Sequence, residues 1–142
     1  LAVGAIMKHA NFNSFLVIDL GTCITYDLVL KRNYIGGQIS PGLNMRLFSL
    51  NYGTEKLPII KFSAPNKFIG LSTQDAILSG VYHGLLNEIK GIIETYKSRY
   101  PDIVVILTGG DGDVFKKKLK NINFLDSYLL MDGLNYIIAS NE

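Results

Sequence analysis

The chain has 142 residues, 48% hydrophobic and 18% charged, enough apolar material for the core of one domain. Its formal charge of +2 is too small for a nucleic-acid footprint, and its one cysteine, Cys23, excludes an internal disulfide and fits a reducing, cytoplasmic setting. No apolar run approaches the roughly 18 residues of a membrane span, so neither nucleic acid nor membrane is expected as a partner.

The opening segment LAVGAIMKHANF has no initiator Met and no signal-peptide pattern. It reads as helix over residues 1–11, already under way, with Leu1, Ala5 and Met7 on an apolar face; sequence before Leu1 is therefore expected. Phe15–Asp19 reads as a short buried strand and Ile24–Leu30 as a β-branched, aromatic one. A tight turn at Lys31–Asn33 leads to a third strand, Tyr34–Ile39, in which Gly36 and Gly37 predict a bulge or a close approach. Pro41 is expected to open a short helix with Leu43, Leu47 and Leu50 at helical spacing.

Residues 51–71 look irregular, with an extended piece at Leu57–Phe62. The spacing of Ile77, Val81, Leu85, Ile89, Ile92, Ile93 and Tyr96 predicts a long amphipathic helix. Ser72 is its expected N-cap, with Asp75 in a capping-box position, and Pro101 ends it. Asp102–Thr108 reads as a buried strand, Asp113–Lys120 as a helix, Tyr128–Met131 as a strand and Leu134–Ser140 as a last helix. Three antiparallel strands, helices, strand, helix, strand and helix is the order of a ribonuclease-H-like α/β unit, the layer duplicated in the sugar kinase and actin-like ATPase superfamily. Order alone fixes no activity.

Two turns stand out. In FLVIDLGTCITYDLVL an apolar strand runs into Asp19-Leu20-Gly21-Thr22 before returning. A hairpin turn holding Gly and Thr offers backbone N–H groups and a hydroxyl in a small arc suited to phosphate, and Asp19 offers hard oxygen to a cation. The same residues also make ordinary turns. In LTGGD, Gly109 and Gly110 put bare backbone at the carboxyl end of a buried strand, where ligands of open α/β sheets lie; a plain strand-to-helix turn reads the same way.

The blocks DLGTCITYDLV (Asp19–Val29), GGQISPGL (Gly36–Leu43), GTEKLP (Gly53–Pro58), STQDAILSG (Ser72–Gly80), LTGGD (Leu107–Asp111) and GLNYI (Gly133–Ile137) recur in order and spacing as in the C-terminal half of type III pantothenate kinases, which the chain resembles from about residue 15 onward. The resemblance implies ATP-dependent phosphorylation of pantothenate, the first step of coenzyme A synthesis, with Mg2+, a monovalent cation (K+ or NH4+) and a homodimer. It makes Asp19 the monovalent-cation ligand, Gly21 and Thr22 part of the ATP site with Thr22 as its threonine, Thr73 the pantothenate-touching threonine, and Gly109 and Gly110 the adenosine-side glycines. Gly36–Gly42 would lie near the substrate pocket and dimer contact.

The family's first phosphate loop, D-x-G-N-T, and its G-x-D-R segment with the proposed general base do not occur in this sequence. The resemblance therefore makes residues 1–142 the C-terminal actin-like ATPase domain, with no catalytic residue of their own, the base expected before Leu1 and the isolated domain inactive. Other features read plainly: His9 and His83 lack partners at ligand spacing, Lys116–Lys120 is a solvated helix face, and Cys23 is a small packing residue. Arg46 is read as a surface arginine, or one that meets a carboxylate across a dimer contact. A two-metal nuclease would need acidic residues beside Asp19 that the strand ends do not offer. A non-catalytic accessory protein for transcription regulators, a description also attached to members of this family, is the remaining alternative.

Overall fold

The computed structural model describes residues 1–141. It is a three-layer α/β/α unit built on one five-stranded sheet in the order β3-β2-β1-β4-β5. The elements are α1 (Ala2–Lys8), β1 (Phe15–Leu20), β2 (Cys23–Leu30), β3 (Asn33–Pro41), α2 (Leu43–Tyr52), α3 (Thr73–Arg99), β4 (Val104–Thr108), α4 (Gly112–Phe115), a 3-10 turn (Lys116–Lys118), β5 (Phe124–Leu125) and α5 (Leu129–Ala139). β1 pairs antiparallel with β2, β2 antiparallel with β3, and β1 parallel with β4, which is itself parallel to β5.

The apolar strands are buried on both faces, and their alternation divides the core in two. Leu16, Ile18, Leu20, Val105 and Leu107 face α2 and α3 with Tyr26, Leu85 and Ile89. Phe15, Val17, Val104 and Ile106 face the other way, against Ala5 of α1 and Leu129 of α5. This period-two division is what a strand imposes, and it needs a helix layer on each side. Lys8 fastens the second layer, reaching Asp126 at 2.8 Å and Asp132 at 2.6 Å.

The long helix begins as expected: Ser72 caps it, its Oγ accepting from the Asp75 N–H at 3.1 Å. The bulge falls where the glycines predict, with the β2–β3 register slipping at Leu28/Val29 beside Gly36. The hairpin turn places Lys31 and Arg32 at positive φ, the primed-turn geometry that matches strand twist.

Several expectations are corrected. Pro41 is the last residue of β3, opposite Cys23, and α2 starts two residues later, at Leu43, behind its N-cap Gly42. The helix over Asp113–Lys120 shrinks to α4 and the 3-10 turn, and the first helix ends at Lys8. Leu57–Phe62 forms no strand, although Leu57, Ile60 and Phe62 pack on the core. The run Tyr128–Met131 is not a strand. Its place beside β4 is taken by Phe124–Leu125, and Leu129 is the buried first residue of α5. Asn123 fixes that pairing: its N–H donates to Val105 O and its Oδ1 accepts from Val105 N–H, both at 2.9 Å.

Candidate active site at the carboxyl edge of the sheet

β1, β3, β4 and β5 run in one direction, so their carboxyl ends share one edge of the sheet. Asp19 lies at that end of β1, paired across the parallel ladder with Thr108. Gly109 follows at once, with φ +92°, a conformation that favours glycine. A Cβ there would strike the Asp19 carboxylate and stand 2.5 Å from both Leu20 N and Leu20 O. Asp111 N–H then donates to Leu20 O at 2.9 Å, sewing the LTGGD turn onto the end of β1.

Asp19, Thr108, Gly109 and Gly110 line one cavity of about 250 Å³, closed by Asp113, Leu125, Ser127 and Leu130. Gly110, unlike Gly109, has open space where a Cβ would be. The Asp19 carboxylate has no hydrogen bond or ion pair among the described residues. Desolvation by its surroundings, with the nearby Asp27 charge, pushes its pKa above the ordinary range. Burial likewise raises that of Asp111. An unpaired, partly desolvated carboxylate beside bare glycine backbone suits a cation that accompanies phosphate oxygens. No group of three His, Cys, Asp or Glu side chains is arranged around a metal position among the described residues, so a two-metal clamp has no ligand set here.

The Gly21–Thr22 turn behaves differently from the expected phosphate arc. Gly21 N–H is committed to Cys23 O at 3.1 Å, and Thr22 O accepts from Gly42 N–H at 3.0 Å. Gly42 packs so tightly on the carbonyls of Gly21 and Thr22 that it has no room for a Cβ. Thr22 keeps an exposed side chain but does not line the Asp19 cavity. Its hydroxyl has no hydrogen-bond partner among the described residues, whereas the Gly21 N–H is already committed.

Thr73 belongs to a second cavity. It is the first residue of α3 and makes no capping bond, that role being taken by Ser72. With Arg46, Ser49, Leu50, Leu57, Ala76, Ile77, Gly80 and Val81 it lines a space of about 660 Å³ between α2 and α3. Arg46 is not a solitary surface arginine. It pairs with Glu88 of α3 at 2.5 Å and donates through Nε to Pro41 O at 2.8 Å.

Sequence reasoning passed over Glu88, Asp113 and Ser127. Glu88 had a readable signal: Val81, Leu85 and Ile92 are apolar on the stripe where Glu88 falls, so a carboxylate there demands partners. Asp113 joins the site from α4 and Ser127 from the turn after β5, and no pattern marked either.

The sequence model of the type III pantothenate kinase family matches residues 1–95. The chain belongs to the type III pantothenate kinase family. It is 46% identical over 128 residues to the type III pantothenate kinase of Christiangramia forsetii, covering 89% of this chain and 53% of that protein. With the Cytophaga hutchinsonii enzyme it shares 43% over 141 residues, 99% of this chain and 60% of the relative. The chain thus spans about half the length of the curated relatives it matches.

Two solved structures share the fold. A Baf family transcriptional activator from Campylobacter jejuni superposes with a TM-score of 0.65 at 24% identity, over 98% of this chain and 64% of that one. The Alp12 filament structure gives 0.64 at 15% identity, over 99% and 52%. The sheet order and these likenesses agree with the mixed α/β unit that the element order predicts. No helix among the described residues is long and apolar enough to cross a membrane.

Proposed function

We propose that the protein carrying residues 1–142 phosphorylates pantothenate to 4'-phosphopantothenate at the expense of ATP, and that this chain supplies the C-terminal actin-like ATPase domain of the enzyme. One observation carries the reading: in a chain of this family, Asp19, Gly109 and Gly110 share a single cavity at the carboxyl edge of the sheet. Asp19 is assigned the monovalent cation, potassium or ammonium, which would offset repulsion among the ATP phosphates. Gly21 and Thr22 are assigned to ATP from the turn next to this cavity, Gly21 as the backbone that shapes the turn and Thr22 through its hydroxyl. The bare backbone of Gly110 would take the adenosine side.

The donor set fits these groups. Asp19 is an acceptor without a protein donor, and a Cβ at Gly110 would project into open space, where a ligand could pack on the backbone. Mg2+ would accompany the phosphates and neutralise charge on the transferring group when bound. Thr73 is assigned to pantothenate, whose carboxylate suits the free N–H groups at the start of a 27-residue helix. No residue of 1–142 is assigned the general base, because the G-x-D-R segment does not occur among them.

A homodimer is part of the proposal. Ile39, Phe48 and Tyr52 are 77%, 61% and 82% exposed around β3 and α2, and such apolar side chains beside the Thr73 cavity suit a second copy. A cytoplasmic location accords with this chemistry. The test is pantothenate-dependent ADP release by the full-length protein, with and without potassium. Release that needs pantothenate and rises with potassium is expected. ATP hydrolysis indifferent to pantothenate would overturn the reading, and no ADP release at all would favour a non-catalytic accessory protein.

A further inference from the structure

The Thr73 cavity contains a cation that the family resemblance does not account for. Its walls are mostly apolar, contributed by Leu50, Leu57, Ile77 and Val81, and its polar groups are few: Arg46, Ser49 and Thr73. That is the composition of a small-molecule site, in which a handful of placed polar groups orient an apolar ligand body.

Arg46 is unusually well fixed. Its Nε donates to Pro41 O at 2.8 Å. One terminal nitrogen donates to Ser40 Oγ at 3.0 Å and to Glu88 Oε2 at 2.5 Å. Glu88 is held in turn: its Oε1 accepts from Ser40 Oγ at 2.5 Å and from Tyr26 OH at 2.9 Å. Tyr26 is wholly buried. The guanidinium is thus clamped from β3 and α3, while its other terminal nitrogen, NH1, has no protein acceptor among the described residues. A planar guanidinium with one edge anchored and one edge free is arranged for a carboxylate, and its geometry cannot be reproduced by a flexible ammonium.

An ion pair this well satisfied is weak evidence for stability, since apolar residues would pack between α2 and α3 at least as well. Its placement in the cavity wall asks for another use. We propose that Arg46 is a specificity-determining residue that receives the carboxylate of the acceptor substrate on its free edge, with Thr73 as the second donor and Glu88 as the residue that positions it. This rests on the pantothenate reading above and names the group that distinguishes the acid from neutral analogues.

The experiment compares pantothenate with the analogue in which the carboxylate is replaced by a primary alcohol, using the full-length protein and saturating ATP. The wild type should prefer the acid at least tenfold in kcat/KM. In Arg46→Gln the pantothenate KM should rise tenfold or more while the alcohol's KM moves less than twofold, bringing the two substrates close together. Arg46→Lys, which keeps charge but loses the anchored fork, should fall between. Glu88→Gln should weaken the preference without abolishing it. If Arg46→Gln raises both KM values by the same factor, Arg46 is only structural and the proposal is overturned. Should that variant not fold, the wild-type ratio decides, because equal use of acid and alcohol sinks the proposal. A wild type that phosphorylates neither compound refutes the pantothenate reading itself, an outcome distinct from a wild type that uses both alike.

Discussion

Asp19 and Glu88 are two carboxylates that this fold treats in opposite ways. Glu88 accepts from Ser40, Arg46 and Tyr26. Burial alone would raise its pKa, but these hydrogen bonds outweigh burial and hold it below the usual glutamate range. Asp19 has no such donors, and desolvation leaves its pKa raised. The signs of their linkage to folding therefore differ. Glu88 contributes stability that is present above its unfolded pKa and lost as pH falls through the lower folded value. Asp19 costs stability once pH rises through its folded value, and protonation relieves that cost. The satisfied carboxylate organises the joint of four elements; the unsatisfied one is left open to a ligand. Function concentrates where the fold leaves a charge unanswered.

The largest effect expected is from Glu88→Ala. It strands the half-buried Arg46 and leaves the Tyr26 hydroxyl without its acceptor, so urea unfolding should show a loss of about 3 kcal/mol. A loss under about 1 kcal/mol would mean the joint is held by packing alone. Next comes Gly109→Ala, which meets both a positive φ and the Asp19 carboxylate, for a cost of about 2 kcal/mol. Gly110→Val sharpens the contrast: it should leave the melting temperature nearly unchanged while raising the ATP KM. An unchanged ATP KM in the folded variant would remove Gly110 from the adenosine side.

Smaller effects separate capping from binding at the start of α3. Ser72→Ala removes the observed cap and should cost about 1 kcal/mol. Thr73→Ala removes no cap bond, so it should stay within about 0.5 kcal/mol of wild type while raising the pantothenate KM and not the ATP KM. The smallest stability change should come from Asp19→Asn, a gain of about 0.5 kcal/mol or less in the absence of ligands, together with loss of the potassium response. If Asp19→Asn destabilises the protein, the description of Asp19 as an unanswered charge fails.

The parts of this molecule that could be read from sequence are those whose meaning is local. β1, β4 and α3 announce themselves by apolar runs and periodicity, and Ser72 and Asp75 mark a helix start. Asp19, Gly109 and Gly110 could be picked out as candidates because they cluster at the carboxyl ends of buried strands. The misreading at Tyr128–Met131 has a physical cause: a four-residue apolar run fits a strand or a helix turn equally well, and the packing of Leu129 against Ala5 of α1 decides between them. Of the Glu88 joint, only the carboxylate itself carried a readable signal. Its partners Tyr26, Ser40 and Arg46 come from β2, β3 and α2, and no local pattern brings them together.

The parallel pairing of β1 with β4 has a consequence for how this site comes into being. β1, β2 and β3 form a meander of near neighbours that can assemble on the timescale of hairpins, within microseconds. Phe15, however, pairs with Val104, on the far side of the hairpins, α2 and α3. That closure carries a larger entropic cost and comes late in a chain of this topology. Asp19 stands on the early side of the seam and Gly109 on the late side. On refolding, far-UV signal should therefore recover before nucleotide binding does, so that competence to bind marks the arrival of β4.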